Sequence, residues 1–196
     1  MTIFDLLFLT LVAVSLVTLL TALVNAIRGR RSQALGILRR VAIGAAAYIS
    51  IVAIVGLLKP QRVLNIGDPW CFDDWCLSVE NVTSTPSPPQ VTCDVSLRIF
   101  SRARRVSQRA LGAWIYLVDA RGNRYTPLWD PAAVPLDVRL AAGESVNTCR
   151  RFSVPADAGE LGLITGHGAG GIGRFIIGED SSLLDKHTYI RIRTGP

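Results

Sequence analysis

The first 58 residues carry long stretches with almost no charge, and this limits what the chain can fold into more than any other feature. From Ile3 to Ile27 the only formally charged side chain is Asp5. As a helix that stretch is about 37 Å long, enough to cross a hydrocarbon core of about 30 Å. A second uncharged run, Val41 to Leu58, reaches about 27 Å and also suffices. A cleaved signal peptide places positive charge ahead of a shorter apolar core, whereas Met1 to Leu9 holds no Lys or Arg and carries Asp5. A core helix that is apolar on every side needs a large protein around it. The rest of a 196-residue chain is too small to enclose two such helices. Residues 1–58 therefore read as a membrane α-hairpin of two transmembrane helices, with spans 3–27 and 41–58.

The intervening stretch 28–40 contains Arg28, Arg30, Arg31, Arg39 and Arg40 and no acid. Short Arg-rich loops are retained on the cytoplasmic side, so this loop is expected inside and both termini outside. The small residues Thr18, Ala22 and Ala26, and likewise Ala42, Ala46 and Ser50, recur every four positions, a spacing that lets two helices approach closely in lipid. The formal charge of +6 divides into +4 for residues 1–58 (five Arg, one Asp) and +2 for the remainder. The basic balance thus reports topology, and nucleic acid is not an expected partner.

All four cysteines, Cys71, Cys76, Cys93 and Cys149, lie beyond the hairpin. An even count confined to the outer part fits an oxidising compartment. The short Cys71 to Cys76 loop closes locally, which favours Cys71–Cys76 together with Cys93–Cys149. Strand alternation speaks against the second pair, because Cys93 is in register with Val91, Val95 and Leu97 while Cys149 is out of register with Phe152 and Val154. Pairing of Cys93 or Cys149 with one of the first two cysteines stays open.

Residues 59–69 read as a linker closed by Gly67-Asp68-Pro69, and 70–196 as one domain. There the period changes to alternation: Leu77, Val79 and Val82, then Val91, Cys93, Val95, Leu97 and Ile99. Trp114 to Val118, a return strand at Tyr125, Val146 to Val154, Leu161 to Thr165 and Thr188 to Arg193 follow. Thr83 to Gln90 and Trp129 to Pro135 read as turn-rich connections. About seven short strands and no helical period argue for an all-β antiparallel, immunoglobulin-like sandwich.

The order Leu-Ser-Val-Glu-Asn-Val (77–82), Val-x-Cys-x-Val-x-Leu-x-Ile (91–99), Trp114-Ile-Tyr-Leu-Val-Asp-Ala-Arg-Gly-Asn-Arg-Tyr125, Leu140-Ala-Ala-Gly-Glu-Ser-Val146 and Phe152-Ser-Val-Pro155 resembles the DUF4352, telokin-like immunoglobulin-fold domains. The resemblance covers roughly residues 76–165. It implies an extracytoplasmic domain behind a bacterial membrane anchor and assigns no activity.

Gly166-His167-Gly168-Ala-Gly170-Gly171 matches the glycine pattern of a dinucleotide loop. Such a loop sits between a parallel strand and a helix, and neither is expected here. It is read as a flexible contact loop, and no cofactor is expected. Cys71 to Cys76 lacks the tighter spacing of redox pairs, and His167 and His187 have no zinc-site spacing. No metal and no catalytic residue is assigned. Arg98, Arg102, Arg104, Arg105 and Arg109 cluster at a strand end and its connection, a basic surface suited to an acidic partner.

The expected function is that of a binding or structural module of the bacterial cell envelope, in the inner membrane with its C-terminal domain extracytoplasmic. Its expected partners are the bilayer and an envelope protein, glycan or anionic lipid headgroup. The alternatives are an envelope enzyme using Cys71 and Cys76 in thiol–disulfide exchange, and a small accessory or sensor subunit of a membrane complex.

Overall fold

The computed structural model describes residues 3–168, 175–177 and 183–192. The chain divides into two units, residues 1–60 with 170–186, and residues 61–169 with 187–196.

The first unit is built on α1 (Ile3–Ile27) and α2 (Arg31–Leu58). Both are long and apolar enough to cross a membrane. The stretch 28–40, expected as a loop, is helical from Arg31 onward. Its Gln33, Ala34, Leu35, Ile37 and Leu38 are mostly good helix formers, and three residues suffice to reverse the chain. The Gly29 N–H donates to the Ala26 carbonyl at 3.0 Å and the Arg30 N–H to the Asn25 carbonyl at 2.9 Å. These two bonds close α1 in a Schellman turn, with Gly29 supplying the required positive φ of 76°. At the other end Pro60 lacks the N–H needed to continue α2.

Residues 170–186, expected within the β-domain, group with the helices. The Tyr48 hydroxyl donates to the Phe175 carbonyl at 2.7 Å. Gly56 lets a second backbone press on α2, because a Cβ there would overlap the Leu183 carbonyl oxygen and stand 3.1 Å from the Asp185 nitrogen. Lys59 Nζ meets Asp185 Oδ2 at 3.0 Å, with the Asp185 side chain only 2% exposed.

The second unit is a sandwich of two sheets. One has the order β1 (Val63–Leu64), β9 (Tyr189–Ile192), β8 (Leu161–Gly166), β5 (Trp114–Asp119), β6 (Arg124–Tyr125); the other has β2 (Trp70–Phe72), β3 (Trp75–Ser87), β4 (Gln90–Ser101), β7 (Ser145–Pro155). All pairings are antiparallel except β1 with β9. Part of the expected linker is therefore an edge strand. The expected turn-rich stretch 83–90 is also largely strand: its Thr and Ser residues continue the β3–β4 ladder to Ser87 opposite Gln90, leaving the reversal to Pro88-Pro89.

On β4 the alternation is as read, with Cys93, Val95, Leu97 and Ile99 buried and Asp94, Ser96, Arg98 and Phe100 on the other face. The core joins Leu77, Val79, Leu97 and Phe152 of one sheet to Leu117, Leu163, Ile190 and Ile192 of the other. Trp70 and Trp75 meet edge to face, their centroids 6.2 Å apart.

The β5–β6 turn is organised by Asp119, which is 6% exposed. Burial alone would raise its pKa, but the carboxylate accepts from the Asn123 side chain and N–H, the Tyr125 hydroxyl and the Arg121 N–H, and is held at about 2. A depressed folded pKa contributes stability that is present above the unfolded value of about 3.9 and is lost as pH falls towards 2. Asp119→Asn should lower the thermal midpoint at pH 7 and flatten its decline between pH 4 and pH 2, as read by circular dichroism. In the helical unit, Lys59→Met takes the ion-pair partner from the buried Asp185 carboxylate and leaves it the Lys186 N–H at 3.0 Å. Exchange protection near residues 183–186 should fall by about 2 kcal/mol in hydrogen–deuterium exchange, while that of β4 stays unchanged.

Candidate binding surface

The outward face of β4 is uneven in charge. At one end Asp94 lies opposite Arg151 of β7, and the guanidinium is 2.7 Å from the carboxylate. At the other end the alternation puts Arg98, Phe100 and, just past the strand, Arg102 in line. The Arg98 and Arg102 guanidinium carbons lie 5.3 and 5.6 Å from the Phe100 ring centroid, near enough for cation–π attraction from both. Neither forms an ion pair among the described residues.

The five predicted arginines therefore divide. Arg98 and Arg102 share one aromatic platform. Arg104 and Arg105 are exposed on the following connection. Arg109 is taken out of the group by Asp137, whose carboxylate and carbonyl it reaches at 2.7 Å each.

Arg102 also lines a cavity of about 400 Å³ with Arg62, Leu64, Asp68, Pro69 and Cys71. Arg62 escaped the sequence reading because it lies 40 positions from Arg102 in what looked like a linker. The pairing of β1 with β9, including the Tyr189 N–H to Arg62 carbonyl bond of 2.9 Å, fixes it there. A sequence signal was present in the apolar Val63-Leu64 pair that follows. Asp68 is already engaged, accepting from the Asn65 N–H at 2.8 Å and from the Asn65 side-chain amide at 3.4 Å.

The wall of this cavity is pinned covalently. Cys71 and Cys76 face each other in the β2–β3 register and are joined by a disulfide. From the same hairpin the Asp74 carbonyl accepts the Arg102 N–H at 2.7 Å. The favoured second pair is corrected: Cys93 and Cys149 are both free, Cys93 buried and Cys149 exposed. Cys93 lies opposite Phe152, whereas Cys149 lies opposite Ser96. Three positions separate Cys93 from Ser96 along β4, and an odd offset puts the two thiols on opposite faces of the sheet. Burial raises the pKa of both, so neither is an activated thiolate.

The glycine-rich loop also differs from expectation over its described part. Gly166 ends β8 and is buried; a Cβ there would run into the Trp114 ring. The His167 ring lies tilted against Phe72, centroids 3.3 Å apart, and 6.1 Å from Trp70. The Gly168 N–H donates to the Leu111 carbonyl at 3.0 Å. These are packing positions rather than a flexible contact loop. Gly170 and Gly171 lie outside the described residues. Among the described residues no group of three or more His, Cys, Asp or Glu side chains stands together to hold a metal.

No family model and no curated protein matches the chain, so the DUF4352 resemblance stands on strand order alone. Among solved structures the chain is similar to an uncharacterised β-sandwich protein from Clostridium difficile (10% identity, 69% of this chain and 96% of that one, TM-score 0.44). It is also similar to the yjhA protein from Bacillus subtilis (9% identity, 66% and 99%, TM-score 0.48). A third is a secreted protein from Mycobacterium tuberculosis (15% identity, 56% and 92%, TM-score 0.43). They assign this chain no ligand.

The packing role of Gly166 is directly testable. Gly166→Ala should destabilise the protein by about 1–3 kcal/mol through overlap with Trp114, measured by chemical denaturation of the full chain in detergent. Unchanged stability would return this position to an open loop.

Proposed function

We propose that this chain is a membrane-anchored, extracytoplasmic β-sandwich that serves as a binding or structural module of the bacterial cell envelope and acts by contact rather than catalysis. The carrying observation is the surface of the helices: Leu16 is 57%, Leu20 62% and Ile54 54% exposed. Apolar surface of that extent calls for lipid or another apolar partner. Two such helices in succession favour an anchor over a cleaved signal. The arginines at the α1–α2 turn and the Cys71–Cys76 disulfide, at opposite sides of the proposed bilayer, favour the same orientation from different chemistry. In this reading the Arg98–Phe100–Arg102 strip and the adjoining cavity are the contact surface for an anionic partner.

A second reading, an accessory subunit held through its helices, is favoured by one feature. Between α1 and α2 runs an apolar groove of about 530 Å³, lined by residues that include Phe8, Ser15, Gly44, Ala45, Tyr48 and Phe175. The small side chains there would admit another helix at close range. Co-purification of a stoichiometric partner that is lost on Gly44→Leu would move the assignment to this reading.

The orientation is tested at Cys149. A membrane-impermeant maleimide applied to intact cells with a permeabilised outer membrane should label Cys149 without reductant, and Cys71 and Cys76 only after reduction. Labelling of Cys149 only after the inner membrane is breached would place the sandwich in the cytoplasm and overturn the proposal.

A further inference from the structure

We infer that the cavity between Arg62 and Arg102 binds the phosphate of an anionic phospholipid headgroup; this rests on the membrane-anchored reading above. Arg62 and Arg102, neither ion-paired among the described residues, line a single cavity. A guanidinium offers a planar fork of N–H donors that matches phosphate oxygens two at a time. The acid in the wall, Asp68, is turned to Asn65 through its Oδ2 and offsets one of the two positive charges, while the backbone of Arg102 is tied to Asp74. Arg98 adds a third positive charge across the Phe100 ring.

The lipid source is indicated by the chain itself. Arg62 follows Leu58, the last residue of α2, by four positions. Four residues span at most about 14 Å even when fully extended. A cation on so short a tether from a membrane helix is held within reach of headgroup phosphates, where anionic lipids attract basic groups over roughly a Debye length of 8–10 Å. The apolar members of the wall, Leu64 and Pro69, suit the acylated side of a phospholipid phosphate better than a fully hydrated free anion.

The test uses the full chain in neutral detergent, incubated with phosphatidylglycerol or phosphatidylcholine, with bound lipid counted by native mass spectrometry. The wild type should retain phosphatidylglycerol preferentially, and less of it as salt is raised. Arg62→Gln with Arg102→Gln should reduce that retention roughly tenfold. The charge-matched double variant Arg28→Gln with Arg30→Gln, which lacks the shared cavity, should reduce it far less. Circular dichroism and an intact Cys71–Cys76 bond certify each variant as folded, and Arg62→Lys with Arg102→Lys should restore part of the retention.

Undiminished phosphatidylglycerol in the Arg62/Arg102 variant, or loss confined to the Arg28/Arg30 variant, would overturn the inference. So would calorimetry showing soluble glycerol 3-phosphate bound as tightly as short-chain phosphatidylglycerol, since the site would then take a free phosphate. The Cys149 labelling reports orientation independently of lipid retention, so failure of this inference and failure of the anchor remain distinguishable.

Discussion

The helices of this protein carry more apolar surface than the described residues cover. Among the described residues of α1 only Ala22 is buried, and of α2 only Ala34, Val52 and Gly56. Fully burying a single leucine is worth about 1.5–3 kcal/mol, so two faces of exposed Leu, Ile and Val cannot be left in water without association. The proposed anchor removes the difficulty by making lipid the solvent. It also explains why the two α-helices lack amphipathic patterning while the strands alternate sharply.

Within the sandwich, position follows from pairing register. The long β3–β4 and β4–β7 ladders fix which β4 side chains enter the core. The same ladders bring Asp94 to Arg151 at one end and set Arg98 opposite Ser78 and Asn147 at the other. The disulfide acts at this second end, joining β2 to β3 beside Arg102. A charged surface is thus produced by strand parity, with a covalent bond holding one of its edges.

Much of the fold was legible because it rests on periodicity. The alternation from Val91 to Ile99 announced β4, and the uncharged runs announced both helices. What escaped notice depended on contacts between distant segments. Val63-Leu64 is too short to declare itself a strand and becomes one only by pairing with β9. The Thr and Ser residues of 83–87 have turn-like composition, yet the β4 ladder keeps them extended. The arginine cluster was visible as composition, but only the fold separates Arg109, bound to Asp137, from Arg102, and only the fold adds Arg62. The Cys93–Cys149 pair was favoured by elimination and fails on strand parity, a conflict already present in the sequence. Gly166 showed as a glycine, but nothing in the sequence placed Trp114 against it.

The connection between β8 and β9 carries an apolar Phe-Ile-Ile stretch at 175–177, and its described residues pack with the helices through Tyr48, Gly56 and Lys59. An insertion of that kind accords with the proposed anchor, in which the helices lie where apolar side chains are at home. Spin labels introduced by Leu16→Cys and Ile54→Cys, in a Cys149→Ser background reconstituted in bilayers, probe that setting directly. Relaxation by lipid-soluble oxygen should exceed relaxation by a water-soluble nickel chelate at both positions. Equal or greater access of the nickel chelate at either would show that helix in water and contradict the anchor.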